Sequence, residues 1–223
     1  MSLAQILHVL GYKKPGRKKA GPKKLTPKKL MTSLKRRGPR AATVFLRPLE
    51  KYDFENWRQA YSMMGAPRNQ WDEGPWKQTE LTPAKFRELL KKQKQLRAED
   101  RFYTYGIFRA DDGVFVGYVT FMDVIRGVFQ NAYLGYRIFN AYWGRGYATE
   151  AVRHSLVIAF KELKLHRVEA GISPENEGSI RVAQAVGLRC EGLSRKRLLI
   201  DGKWVDLAIF AATREDFGQR YRK

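Results

Sequence analysis

The run Tyr142-Trp143-Gly144-Arg145-Gly146-Tyr147-Ala148-Thr149-Glu150-Ala151 constrains this chain more than any other. Before it, Tyr133-Leu134-Gly135-Tyr136-Arg137-Ile138 is aromatic and β-branched enough to predict a strand. After it, from Ala151 to Leu163, the apolar residues Val152, Leu156, Ala159, Phe160 and Leu163 recur at helical spacing. The expected unit is therefore strand, glycine-rich turn, helix. The first turn of a helix carries backbone N–H groups without intrahelical partners, and the helix dipole adds partial positive charge there. Residues with small side chains let an anion approach that backbone, so the unit is suited to a pyrophosphate.

A second group lies downstream: Ser173-Pro174-Glu175-Asn176-Glu177-Gly178-Ser179-Ile180-Arg181-Val182, then Val186-Gly187-Leu188 and Glu191-Gly192, then Gly202 to Asp206. Taken with Trp143 to Ala151, and in this order, these motifs resemble those of the GNAT superfamily of acetyl-CoA-dependent N-acetyltransferases. The likeness is greatest to its ribosomal-protein-alanine N-acetyltransferase branch and covers roughly Thr43 to Phe217. The resemblance implies acetyl-CoA as cofactor, bound between two splayed parallel strands, here the one ending near Ile138 and Arg167 to Ile172. It implies that the backbone around Arg145, Gly146, Ala148 and Thr149 takes the pyrophosphate, that Asn176 contacts the pantetheine arm, and that Ser179 donates a proton or hydrogen bond to the departing thiolate. It implies a protein N-terminal amine as acceptor. Many relatives carry an acid where Tyr133 stands, so the general base is open among Glu191, Tyr136, Asp206 and a water chain. No covalent enzyme intermediate is needed, and Cys190 is expected to pack in a strand.

The other elements read in sequence. Thr43 to Arg47 predicts a first strand and Tyr52 to Met63 a helix with Phe54, Trp57, Ala60 and Tyr61 on one side. Residues 64–81 are loop-like, and their tryptophans, Trp71 and Trp76, either line an acceptor groove or cap the core. Thr82-Pro83 supplies a hydroxyl cap and a first-turn proline for a helix to about Arg97. Strands Phe102 to Arg109 and Val114 to Phe121 flank the hairpin signal Asp112-Gly113. Val128 to Ile138, Arg167 to Ile172, Leu193 to Ile200 and Trp204 to Ala211 are the remaining strands, the last two turning at Asp201-Gly202. Ser179 to Val186 is a short helix closed by Gly187. The whole predicts an α/β fold of the α+β type: a mixed, mostly antiparallel sheet with helices on both faces, spanning 43–223.

Charge sets residues 1–42 apart. Lys+Arg number 43 against 22 Asp+Glu, and residues 1–49 hold 14 Lys/Arg and no acid. After an amphipathic Met1 to Leu10, lysine pairs alternate with proline and glycine, which predicts an extended chain, disordered unless bound. Lys13, Lys14, Arg17, Lys18, Lys19, Lys23, Lys24, Lys28, Lys29, Lys35, Arg36 and Arg37 are candidate contacts to ribosomal or other RNA. A mitochondrial presequence is the alternative, so the location is the cytoplasm or the mitochondrial matrix. A ribosome- or RNA-associated structural protein that kept the fold and lost the reaction is the competing function. No apolar run is long enough to span a bilayer, and one cysteine and three histidines offer no metal-ligand spacing.

Overall fold

The computed structural model describes residues 43–72, 74–200 and 202–220. The basic segment 1–42, with the twelve cations named above and the amphipathic Met1 to Leu10, lies outside the described residues, as does Asp201 of the last hairpin turn. In chain order the elements are β1 (Val44–Arg47), α1 (Phe54–Ser62), α2 (Pro83–Ala98), β2 (Tyr103–Arg109), β3 (Phe115–Ile125), β4 (Asn131–Ile138), α3 (Tyr147–Val157), β5 (Arg167–Ile172), α4 (Glu177–Ala185), β6 (Arg189–Ile200), β7 (Lys203–Thr213) and α5 (Arg214–Arg220). The strands form one sheet in the order β1-β2-β3-β4-β5-β7-β6. Every neighbouring pair is antiparallel except β4 and β5.

Ile107 and Phe108 are consecutive in β2, so they point to opposite faces, and both are fully buried. The sheet is thus covered on each side. On one side Trp57 of α1 packs on Phe86 of α2, ring centroids 5.1 Å apart, and Tyr61 packs on Phe139, 4.8 Å. Trp76 is buried edge-on against Trp57 at 5.9 Å, so this tryptophan caps the core. On the other side α3 lies across β1, β3 and β4 and touches α4. Thr82 caps α2 by accepting from the Lys85 amide at 3.2 Å, with Pro83 in the first turn, as its sequence predicts.

Several boundaries differ from expectation; β3, for one, runs four residues past Phe121 to Ile125. The helix after the glycines begins at Tyr147, four residues before the apolar periodicity does, and its last turn, Ile158–Glu162, widens to a π-turn. Strand β4 begins at Asn131 because Gly127 and Gln130, both at positive φ, turn the chain; Val128 is left 96% exposed. The last hairpin is longer at both ends, which puts Cys190 and Glu191 on β6. Cys190 is partly buried against the core there.

Candidate active site

Strands β4 and β5 pair over Asn131↔Arg167, Ala132↔Val168 and Tyr133↔Glu169. Beyond that point β4 continues to Ile138 and β5 to Ile172 without pairing to each other. The sheet therefore forks, and strand edges with main-chain hydrogen-bonding capacity face the gap.

At the head of the fork is the glycine turn. Gly146 sits at φ 83°, in the left-handed region, as the N-cap residue of α3; no side chain caps that helix end. A Cβ at Gly144 or Gly146 would meet nothing within 4 Å, so the approach to the helix mouth is open. The amides of Tyr147, Ala148 and Thr149 lie in the first turn, and the ladder begins with Glu150 N donating to Gly146 O at 3.2 Å. Ala148 and Thr149 are thus inside the helix, with Arg145 exposed just before it, its guanidinium 5.8 Å from the Tyr142 ring. Trp143 pins the turn to β4 by donating from Nε1 to Ile138 O at 2.6 Å.

A buried polar knot holds this turn from behind. Asn140 Nδ2 donates to Gly65 O (3.1 Å), Ala66 O (3.2 Å) and Asp72 Oδ2 (2.9 Å), and Asn140 Oδ1 accepts from Gly65 N at 3.0 Å. Asp72 also accepts from Arg68 N at 2.8 Å. Asn140 and Asp72 are 1% and 3% exposed. They tie the 64–72 loop to the residues that enter the glycine turn.

Ser179 and Asn176 meet at the start of α4. Asn176 is its N-cap, its Oδ1 accepting from Ser179 N at 3.1 Å. Ser179 Oγ lies 2.7 Å from Tyr136 Oη, which also donates to Ser179 O at 3.1 Å. Burial pushes the Tyr136 phenol up to about 12, against the opposing hydrogen bond from Ser179. That phenol therefore stays protonated at neutral pH and serves as a hydrogen-bonding hydroxyl, not as a base.

The two carboxylates considered as bases are committed elsewhere. Asp206 Oδ1 accepts from Lys196 N at 2.8 Å, closing the bulge between β6 and β7. Glu191 receives both arms of the Arg167 guanidinium and, at 2.8 Å, Arg189. Arg167 first, then Arg189, holds its carboxyl below the usual range. The stability this confers is present above the unfolded carboxyl's value and is lost as pH falls through the lowered folded one. Glu191→Gln is therefore expected to flatten the fall in melting temperature as the pH drops below about 4.5, measured by scanning calorimetry. An unchanged slope would show that the pair carries no pH-dependent stability.

The carboxylate that sequence reading missed is Glu169. It forms the last pair with Tyr133 before the strands part, so both project from the same face. Tyr136, three residues on, projects from the other face with Ser179. Glu169 Oε1 accepts from Arg167 Nε at 2.7 Å; among the described residues nothing hydrogen-bonds its Oε2. Its sequence signal, an acid within the apolar run Val168 to Ile172, was present but silent without the strand order.

A sheet forked between one parallel pair, with an uncapped helix mouth at its head, is the frame of a coenzyme-dependent acyltransferase. Residues 43–189 match the acetyltransferase (GNAT) domain, and the chain belongs to that family. It is 37% identical over 184 residues to a probable N-acetyltransferase, YjcK, of Bacillus subtilis, covering 78% of this chain and 96% of that one. It is 34% identical over 116 residues to the [ribosomal protein uS5]-alanine N-acetyltransferase of Escherichia coli, covering 52% of this chain and 59% of that one. Among solved structures, Mycobacterium smegmatis RimJ in complex with CoA-disulfide superposes with a TM-score of 0.64 at 27% identity, covering 81% of this chain and 84% of that one. The protein is an acetyltransferase that uses acetyl-CoA. The fork and the open helix mouth fit that coenzyme. No helix among the described residues is long and apolar enough to cross a membrane.

Proposed function

We propose that this protein acetylates the α-amine of a protein N-terminus, with a ribosomal protein as the acceptor class. The observation that carries the reading is the division of labour across the fork: a hydroxyl pair on one face, Tyr136 and Ser179, and a half-free carboxylate on the other, Glu169. Its support for the acceptor class is the likeness to the uS5-alanine enzyme. The amides of Tyr147, Ala148 and Thr149, beside Arg145 and Gly146, hold the pyrophosphate. Asn176 orients Ser179 through the α4 cap, and the fork edges near Ile138 and Ile172 receive the pantetheine amides. Acetyl-CoA supplies an acyl group activated as a thioester.

The chain's own residues then act on both faces. On the acceptor face Glu169 Oε2 takes the proton that the attacking ammonium must lose. On the coenzyme face Tyr136, kept as the neutral phenol by its burial, holds Ser179 Oγ by a hydrogen bond, and the Ser179 hydroxyl donates a hydrogen bond to the departing thiolate, which takes its proton from solvent. The basic segment 1–42, from Lys13 to Arg37, docks on ribosomal RNA and brings the catalytic domain, 43–223, to its acceptor, in the cytoplasm or in the mitochondrial matrix.

The test is CoA release with acetyl-CoA and a panel of peptides differing in their first residue, each with a free or a formylated α-amine. Turnover restricted to free α-amines, and reduced about 10²-fold in Ser179→Ala, is expected. Equal turnover of formylated peptides bearing lysine would move the acceptor to a side-chain amine. No turnover across the panel, with acetyl-CoA still bound, would favour the non-catalytic RNA-associated reading.

A further inference from the structure

Strand β5 ends at Ile172, opposite Ala208 of β7. Residues 203–207 of β7 and their partners on β6 run on past it as an arm. The arm does not continue flat. Its ladder slips between Ser194 and Leu198, and Lys196 sits there at φ 47°, a left-handed position that residues with a Cβ rarely adopt. The Asp206 carboxylate holds the Lys196 amide in that bend at 2.8 Å. A bulge breaks the alternation of side chains along a strand and re-aims the one beside it. Here that side chain is Arg197, whose Nη2 donates to Tyr133 Oη at 2.7 Å, 64 positions away in the chain. The arm is thereby folded back towards β4.

Tyr133 pairs with Glu169 on the last rung before the fork opens, and the two project from one face. Arg197 is thus brought, by the length of one tyrosine, to the face on which Glu169 stands. The pairing of charges there is uneven. Arg167 is taken by Glu169 and Glu191, and Arg189 by Glu191 and Asp216. Arg197 spends one of its five donors on a neutral hydroxyl, and among the described residues no carboxylate pairs with it. Arg195 and Lys196, both exposed, add positive charge to the same arm. A guanidinium whose resting partner is neutral gives up little on turning to a carboxylate, which it binds with two parallel hydrogen bonds.

We propose that Arg197 selects the acceptor by binding a carboxylate side chain at its second or third residue, so that N-termini with Asp or Glu just behind the acetylated amine are favoured. An extended peptide rises about 3.4 Å per residue, so a chain whose amine meets Glu169 carries those side chains about 3–7 Å further on, the span that the Tyr133 side chain covers. The proposal rests on the N-terminal-amine reading given above, and two readouts keep the two claims apart.

The first readout is kcat/KM for peptides beginning Ala-Asp, Ala-Asn and Ala-Lys on one common tail, and for the same set with the change at the third residue. The second is equilibrium binding of the same peptides to the CoA-loaded protein, followed by fluorescence anisotropy. Four full-length proteins are compared: wild type, Arg197→Gln, Arg197→Glu and Lys161→Glu. The last makes the same charge change on an exposed residue at the far end of α3 from the glycine turn. Wild type and Lys161→Glu are expected to prefer the Asp peptide to the Asn peptide about fivefold at one of the two positions, and less at high salt. Arg197→Gln should lose that preference and Arg197→Glu should favour the Lys peptide; should the reversal not fold, the Gln variant decides. Equal handling of Asp and Asn peptides by wild type would overturn the proposal. So would a preference that survives in Arg197→Gln, or one lost equally in Lys161→Glu, which would mark a diffuse field. If no peptide is turned over, the N-terminal-amine reading falls, and the binding ratios still decide for or against Arg197. Absence of peptide binding as well would overturn both.

Discussion

Glu169→Gln is expected to lower kcat by roughly 10²–10³ while leaving the fold and acetyl-CoA affinity near wild type. Glutamine keeps the Arg167 hydrogen bond through its amide oxygen, so the strand pairing at the fork is preserved. What it loses is a lone pair able to hold the ammonium's proton. The signature lies in the pH profile. In the wild type, kcat/KM carries a limb near pH 8 that belongs to the acceptor α-amine, whose ordinary pKa is about 7.7–8.0. The variant should keep that limb at a lowered plateau. A kcat within about threefold of wild type would remove Glu169 from the chemistry and leave deprotonation to water.

Asn140→Ala should be the most destabilising single change near the site. Asn140 makes four hydrogen bonds and is 1% exposed; alanine leaves the Asp72 carboxylate, 3% exposed, short of its side-chain donor. Buried groups left without partners cost about 1–3 kcal/mol each, so a loss of about 3 kcal/mol is expected, or roughly 6–12 °C in a chain of this size. Urea unfolding should show a lower midpoint with an unchanged slope. Because Asn140 stands just ahead of the glycine turn, CoA affinity should fall as well. A melting temperature within 2 °C of wild type would mean that the 64–72 loop is held by other contacts.

Local chemistry was legible in the sequence where a rule acts over a few residues. The Thr82-Pro83 cap of α2, the hairpin at Asp112-Gly113 and the strand Arg167–Ile172 all follow from neighbours in the chain. So did the buried stripe of α3, because helical spacing alone selects Val152 and Leu156. Helix onset was misjudged by four residues because Tyr147, Ala148, Thr149 and Glu150 carry no apolar period; the left-handed Gly146 starts the helix. What stayed hidden needs pairing across distance. Ser179 was visible as a motif residue, yet its partner Tyr136 is 43 positions away, and Asn140 meets Asp72 across 68. Glu169 acquires a site only when β4 and β5 are known to part after it. Glu191 and Asp206 were plausible bases until Arg167 and the Lys196 amide were seen to occupy them.

The short β4–β5 seam has a mechanical consequence. Three residue pairs join the half-sheet β1-β2-β3-β4 to the half-sheet β5-β7-β6, and above that seam β4 and β5 do not pair with each other. A pantetheine chain with amides at intervals, laid between the two strands, acts as a non-peptide brace across the weakest joint of the sheet. The cofactor would then do structural duty before any chemistry, stiffening the frame that presents the amine to the acyl carbon, and the enzyme would slacken each time the spent cofactor departs.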